Sequence, residues 1–349
     1  MTKKTRVLIV DDSATMRGLV KSVLVKDPTI EVVGGAADPY EAREAIKALS
    51  PDVITLDVEM PRMSGIAFLE RIMRLRPMPV IMVSSLTDAG AATAIEALEM
   101  GAFAAIGKPS DGNIADAFAK LPELVAAAAS ARVGMTPKRS ALKSLPANFD
   151  PGDSVVAIGS STGGVEALQL LLSSFPERCP PTVITQHMPE AFTATFARRL
   201  DSLVAPRVKE AEHGEPLKPG YVYIAPGGKR HLEVSGKRAL SVSLVDSGPV
   251  SGHRPSVDVL FRSVARSCAP RAVGAILTGM GRDGADGLLA MRHSGSQTIG
   301  QDCDTCVVYG MPKAAFENGA VEEVLPIQDI GHAILSRCGQ RPTRMAAMG

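Results

Sequence analysis

Short runs of β-branched and aliphatic residues alternate along this chain with segments whose apolar positions recur every three or four residues. In the N-terminal third the runs are Arg6–Val10, Glu31–Gly34, Val53–Leu56, Val80–Val83 and Ala102–Ile106, and helical spacing falls between them, for example over Thr15–Lys26 and Pro39–Leu49. Strands that alternate with helices and are apolar on both sides predict a parallel sheet covered on both faces. The pattern resumes later with strands predicted at Val155–Ile158, Thr182–Thr185, Tyr221–Ala225, Leu240–Val245 and Val273–Leu277. Helical patterns fall at Glu190–Leu203, Ser256–Cys268 and Gly287–Ser294, with no internal repeat of the first block. Between the blocks no acidic residue occurs from Glu123 to Asp150, and an alanine-rich stretch gives way to a basic, turn-prone one. The expectation is an α/β protein of two doubly wound parallel-sheet domains, 1–125 and 153–349, joined by a semi-flexible linker, 126–152, whose first residues extend the preceding helix.

The length of 349 residues fits two domains at roughly 150 residues each. A net charge of +1, with 45% apolar and 21% charged residues, is that of an ordinary globular chain. It gives no general case for nucleic acid or acidic membrane, and the four spread cations Arg132, Lys138, Arg139 and Lys143 lack the aromatics of a nucleic-acid-binding tail. No secretory signal and no apolar run of ~18–20 residues is present, so a cytoplasmic location without membrane insertion is expected. The five cysteines are scattered. Cys303 and Cys306 form a lone C-x-x-C without a second ligand pair, which reads as free thiols rather than a zinc site.

Function in parallel sheets gathers at the C-terminal strand ends. In the first domain these positions carry Asp11 and Asp12, Asp57, Ser84 and Lys108. A lone aspartate there would read as a helix cap. Three carboxylates together suit a hard cation such as Mg²⁺, with Asp57 as the phosphorylated group and Lys108 and Ser84 contacting the phosphoryl group. The motifs Val10–Asp11–Asp12–Ser13, Leu56–Asp57–Val58–Glu59–Met60–Pro61 and Gly107–Lys108–Pro109 resemble those of response-regulator receiver domains. That resemblance implies a flavodoxin-like five-stranded sheet and a sensor histidine kinase as phosphodonor. The sequence departs from the family at Ala105, where many receivers carry a switch aromatic.

The second domain opens on Val155–Val156–Ala157–Ile158–Gly159–Ser160–Ser161–Thr162–Gly163–Gly164, a strand, a small-residue turn and a helix start. The segment Gly159–Ser160–Ser161–Thr162–Gly163 matches the G-x-S-x-G nucleophile elbow. Taken alone it reads equally as a serine-capped turn or an anion-binding loop. Partners for a nucleophile should also stand at strand ends, and His187 and Asp283 do. His253 could line the cleft; His213 falls in a polar turn, His231 beside Lys229 and Arg230 reads as exposed, and His293 and His332 read as helix-surface residues. Asp302 is a rival to Asp283, as is Asp286, which falls inside the following helix. The order Ser…His…Asp differs from that of α/β-hydrolases.

This turn, together with Thr185–Gln186–His187–Met188–Pro189, Tyr223–Ile224–Ala225–Pro226–Gly227, His253–Arg254–Pro255–Ser256–Val257–Asp258, Leu277–Thr278–Gly279–Met280–Gly281–Arg282–Asp283–Gly284 and Val308–Tyr309–Gly310–Met311–Pro312, resembles the chemotaxis protein-glutamate methylesterases. Ser160 stands where that family usually has alanine, and the elbow register favours Ser161 over it. The resemblance implies hydrolysis of glutamate γ-methyl esters on methyl-accepting chemoreceptors, with release of methanol, and deamidation of receptor glutamines. It implies no cofactor for the ester chemistry. Under it Ser161, His187 and Asp283 form the triad, and the backbone amides of Thr162 and Gly163, with Met280 in the facing loop, hold the oxyanion. The receiver would block the cleft until Asp57 is phosphorylated.

Overall fold

The computed structural model describes residues 3–85, 87–108, 118–131 and 149–339, which fall into two compact units, Met1–Met135 and Thr136–Gly349. The basic stretch 132–148 and Pro109 lie outside the described residues.

In the first unit β1 (Thr5–Val10), β2 (Ile30–Ala36), β3 (Val53–Asp57), β4 (Val80–Ser84) and β5 (Ala104–Gly107) form a parallel sheet in the order β2-β1-β3-β4-β5. Strands β3 and β4 are buried along their whole length, so both faces must be apolar, and Leu56, Val80 and Met82 pack with Phe68, Leu69 and Ile72 of the Gly65–Leu75 helix. The strand order reverses direction between β1 and β3, which leaves a crevice at their C-terminal ends. The helix over Pro39–Leu49 begins at its proline because Asp38 caps the Tyr40 and Glu41 amides. The last helix of the unit, Leu121–Ala128, runs into the alanine stretch.

The second unit holds a seven-stranded parallel sheet in the order β14-β13-β12-β6-β7-β9-β8. Its strands are β6 (Val155–Ser160), β7 (Thr182–Gln186), β8 (Arg207–Glu210), β9 (Tyr221–Ile224), β12 (Ala272–Ile276), β13 (Gln297–Gln301) and β14 (Glu323–Leu325). From β6 the chain passes to β7 on one side, crosses to β8 at that edge and comes back to insert β9 between them. It then returns to lay β12 against the other side of β6 and continues to β13 and β14. The switch point therefore lies between β6 and β12, and the loops after β6, β7 and β12 meet at one edge.

The strand expected at Leu240–Val245 exists as β11 (Ser241–Val245) but is not part of the parallel sheet. It forms an antiparallel hairpin with β10 (His231–Ser235). The hairpin's Leu232, Val234 and Val242 pack with Val257, Leu260, Phe261 and Val264 of the helix Val257–Cys268. This corrects the reading of His231 as a surface residue. Its neighbours Lys229 and Arg230 are exposed, but as the first residue of β10 its own ring turns inward and is 0% exposed. All five cysteines are free thiols; Cys303 is exposed and the others are buried. Among the described residues no helix is long and apolar enough to cross a membrane.

Candidate active site

At the crevice of the first unit, one ligand atom from each of Asp11, Asp12 and Asp57 lies within 4.8 Å of the others, Asp12 being exposed and the other two buried. Lys108 Nζ lies 2.7 Å from Asp57 Oδ1 and 3.6 Å from Asp11 Oδ2. Asp57 Oδ2 is buried and makes no hydrogen bond among the described residues. Burial pushes the Asp57 carboxyl above its ordinary value against the pull of Lys108, and burial followed by the charge of Asp57 raises Asp11. Burial works to lower Lys108, but the hydrogen bond and charge of Asp57 prevail and raise it. An excess of crowded carboxylate oxygens is a donor set that fits a hard divalent cation, and the Lys108 ammonium beside them suits an anionic oxygen.

Ser84 is fully buried, but its hydroxyl donates to the Gly90 carbonyl at 2.9 Å at the start of the Asp88–Glu99 helix. To meet a phosphoryl oxygen it would have to leave this carbonyl. Ala105 pairs with Met82 and packs against the core below the sheet.

In the second unit the elbow follows β6. Gly163 caps the helix Gly164–Leu172 with a left-handed φ of 78°, and a Cβ there would sit 2.7 Å from Val307. The amides of Thr162 and Gly163 donate to no main-chain acceptor among the described residues. Ser160 and Ser161 are set apart by their surroundings. Ser160 is fully buried and its hydroxyl donates to Gln186 Oε1 at 2.6 Å. Ser161 is half-buried at the edge. Its amide donates to the Thr278 carbonyl at 3.0 Å, and its carbonyl accepts from Gln186 Nε2 at 2.8 Å. Gln186 Nε2 also donates to the His187 carbonyl at 3.0 Å. One amide side chain thus ties together the turn after β6 and the turn after β7. The loop after β12 closes on the same spot, where a Cβ on Gly279 would stand 2.8 Å from Ser161 Cβ. Met280 follows directly.

His187 sits beside this turn, its amide donating to the Ser160 carbonyl at 3.0 Å. Its ring Nε2 lies 2.8 Å from Asp283 Oδ2. A carboxylate can only accept, so Nε2 carries the proton and Nδ1 is left as the base. Nδ1 is buried and makes no hydrogen bond among the described residues. The His253 ring stacks on His187 at 3.7 Å between centroids and 4° between planes, which limits the imidazole to in-plane movement.

Asp283 occupies the N-terminus of the helix Val257–Cys268. Its Oδ1 accepts from Ser256 Oγ at 2.7 Å and the Asp258 amide at 3.1 Å, and its Oδ2 accepts from the Val257 amide at 2.7 Å. Burial works to raise its carboxyl. The hydrogen bond and charge of His187, with the Ser256 and Val257 donors, outweigh it and hold the group below its ordinary value. The rival aspartates are engaged elsewhere. Asp286 is exposed and pairs with Arg282 at 3.1 Å, while Asp302 accepts from the Thr305 amide and hydroxyl. Gln186, Ser256, Gly279 and the His253 stack were not assigned roles from sequence, although all four lie in the motifs singled out there.

The arrangement is a hydroxyl in the turn before a helix N-terminus, an imidazole at the end of the adjacent strand and a fully hydrogen-bonded carboxylate behind that ring. It can generate an alkoxide nucleophile and hold a tetrahedral anion against free amides. Comparisons with known proteins identify the family. Residues 156–334 match the family model of the CheB methylesterase, and residues 7–118 that of the response regulator receiver domain. The chain is 57% identical over 343 residues to the protein-glutamate methylesterase/protein-glutamine glutaminase 1 of Caulobacter vibrioides, covering 97% of this chain and 99% of that one. It is also 57% identical to the Rhizobium johnstonii protein of the same name, covering 98% and 99%. Among solved structures, the Thermotoga maritima CheB methylesterase catalytic domain matches at 40% identity with a TM-score of 0.52, covering 53% of this chain and 98% of that one.

Proposed function

The chain belongs to the CheB methylesterase family and carries a receiver domain ahead of the catalytic one, and from that premise we propose how its own residues perform and regulate the reaction. The activity is that of a protein-glutamate methylesterase and protein-glutamine glutaminase acting in chemotactic adaptation. Its substrates are γ-methyl glutamate and glutamine side chains of chemoreceptors.

Ser161 Oγ attacks the ester carbonyl as His187 Nδ1 takes its proton. Asp283, bonded to Nε2, stabilises the imidazolium without becoming protonated. The amides of Thr162, Gly163 and Met280 hold the oxyanion. Collapse of the tetrahedral adduct expels methoxide, which takes the proton from Nδ1 and leaves as methanol. Water, deprotonated by the same nitrogen, hydrolyses the acyl-enzyme to free serine and a glutamate carboxylate. With a glutamine substrate the leaving group is ammonia. The observation that carries this reading is the Nε2–Asp283 bond of 2.8 Å, which leaves a buried, unpartnered Nδ1 beside the Ser161 turn.

In the receiver, Asp57 accepts a phosphoryl group from the phosphohistidine of a sensor histidine kinase, and Asp11, Asp12 and Asp57 would hold Mg²⁺. When bound there, the ion would neutralise the negative charge of the incoming phosphoryl group. Lys108 then pairs with the phosphoryl group, and Ser84 leaves Gly90 to donate to it. The unphosphorylated receiver keeps the activity low, and phosphorylation of Asp57 raises it. We place the division between receiver, linker and catalytic domain near 125 and 152, and the protein in the cytoplasm.

The test is methanol release from methylated receptor membranes, with and without a phosphodonor. Wild-type protein should release methanol faster when phosphorylated, and Ser161→Ala should release none. A serine-directed phosphonate that labels another residue, with Ser161→Ala keeping full turnover, would overturn the assignment.

A further inference from the structure

His231 is the one fully buried histidine whose two nitrogens are both bonded within the second unit, yet the mechanism above makes no use of it. Its Nε2 lies 3.0 Å from the Gly248 carbonyl, which can only accept. Its Nδ1 accepts the Ser256 amide at 3.1 Å, which can only donate. Together these partners select one neutral tautomer. Ser256 is the residue on which Asp283 rests. It caps the Val257–Cys268 helix by accepting the Val259 amide at Oγ, and this directs its own hydroxyl proton to Asp283 Oδ1 at 2.7 Å. A connected path therefore runs from the β10–β11 hairpin through His231 Nδ1, the Ser256 main chain and hydroxyl, and Asp283 to His187 Nε2.

We infer that His231 is a positioning residue for the triad. By anchoring the Ser256 amide it fixes the helix terminus whose donors hold Asp283, and so sets the plane in which Asp283 meets His187. This rests on the triad reading above. An ordinary core histidine would contribute only packing and stability. A positioning histidine requires an acceptor at the Nδ1 place, whatever fills the remaining volume. Asparagine can offer an oxygen close to Nδ1, whereas glutamine offers its amide close to Nε2, where it can serve only Gly248.

The experiment compares His231→Asn and His231→Gln in the full chain, each alone and combined with Asp283→Asn, by steady-state methanol release. All variants are assayed at a temperature where their melting curves show them folded. His231→Gln should lower kcat by about tenfold or more with KM unchanged, and His231→Asn should stay within about twofold of wild type. In the Asp283→Asn background the glutamine change should cost nothing further, because its effect passes through Asp283. If His231→Gln does not fold, His231→Met, which fills the space and offers no comparable acceptor, replaces it in the same cycle. Equal losses for Asn and Gln, a loss in KM alone, or an undiminished loss in the Asp283→Asn background would overturn the inference. If Asp283→Asn itself leaves turnover intact, the triad reading fails instead.

Discussion

A single methyl group placed on Gly279 tests how tightly the loop after β12 seats the nucleophile. In Gly279→Ala the new Cβ would stand 2.8 Å from Ser161 Cβ, 3.2 Å from Ser161 N and 2.3 Å from Met311 Sδ. The thioether is the end of a flexible side chain and can move aside. The Ser161 contact has no such freedom. Ordinary contact begins at 3.4 Å, so at least about 0.6 Å must be found on one side. On one side the Ser161 amide is tied to Thr278 O at 3.0 Å and its carbonyl to Gln186 at 2.8 Å. On the other, the Gly279 amide donates to Val308 O at 3.1 Å and its carbonyl accepts from Gly310 and Met311 at 3.1 and 2.9 Å. The displacement therefore falls on the attacking oxygen or on the neighbouring Met280 amide. A misplacement near 1 Å costs about 10²-fold, so kcat should drop by about 10- to 10²-fold. Stability should fall by only about 1–3 kcal/mol, as for overpacking. The assay is methanol release under saturating methylated membranes, with Gly18→Ala, where nothing lies within 4 Å, as the control. A kcat within about threefold of wild type would refute the argument. So would its recovery in Gly279→Ala/Met311→Ala, which relieves only the sulfur.

Two further outcomes follow from the charges. Asp283 titrates below its ordinary 3.8 in the folded state, so the stability it contributes is fully present above 3.8 and is lost as pH falls through the lower folded value. Urea midpoints for the catalytic unit should therefore differ most between wild type and Asp283→Asn above about pH 4, and the gap should close on acidification; a gap independent of pH contradicts this. Asp11, Asp12 and Asp57 crowd one crevice, so chelation of Mg²⁺ should abolish labelling of Asp57 by a small phosphodonor and leave basal methanol release unchanged. Labelling that persists in excess chelator would show that the carboxylates need no cation.

The parts legible in the sequence were those where chemistry coincides with a strand end. Asp11, Asp57, His187 and Asp283 each follow an apolar run, and the run itself predicts the strand that delivers them. What periodicity could not show was pairing. Leu240–Val245 has the apolar character of a core strand, but its partner His231–Ser235 carries His231, Glu233 and Ser235 at alternate positions and reads as surface. The hairpin, and with it the burial of His231, was therefore out of sight. Strands β8, β13 and β14 are short or carry polar residues such as Arg207, Gln297 and Glu323, so their runs were too weak to stand out. The orientation of the His187 ring, with Nε2 toward Asp283, was equally hidden. It depends on where a helix terminus 70 residues away places a carboxylate, and no local pattern encodes that.

The way β12 returns to the near side of β6 also has a consequence in time. As the polypeptide leaves the ribosome, Ser161 and His187 emerge early, on adjacent strands. The carboxylate lies 96 residues beyond the histidine, on a loop that exists only after β12 has docked. On the triad reading, a nascent or truncated chain ending before residue 283 holds nucleophile and base but no orienting group, and its serine should stay unactivated. Chains cut before residue 283 should therefore be silent, and demethylation should wait for a chain whose central sheet has been completed on both sides of β6.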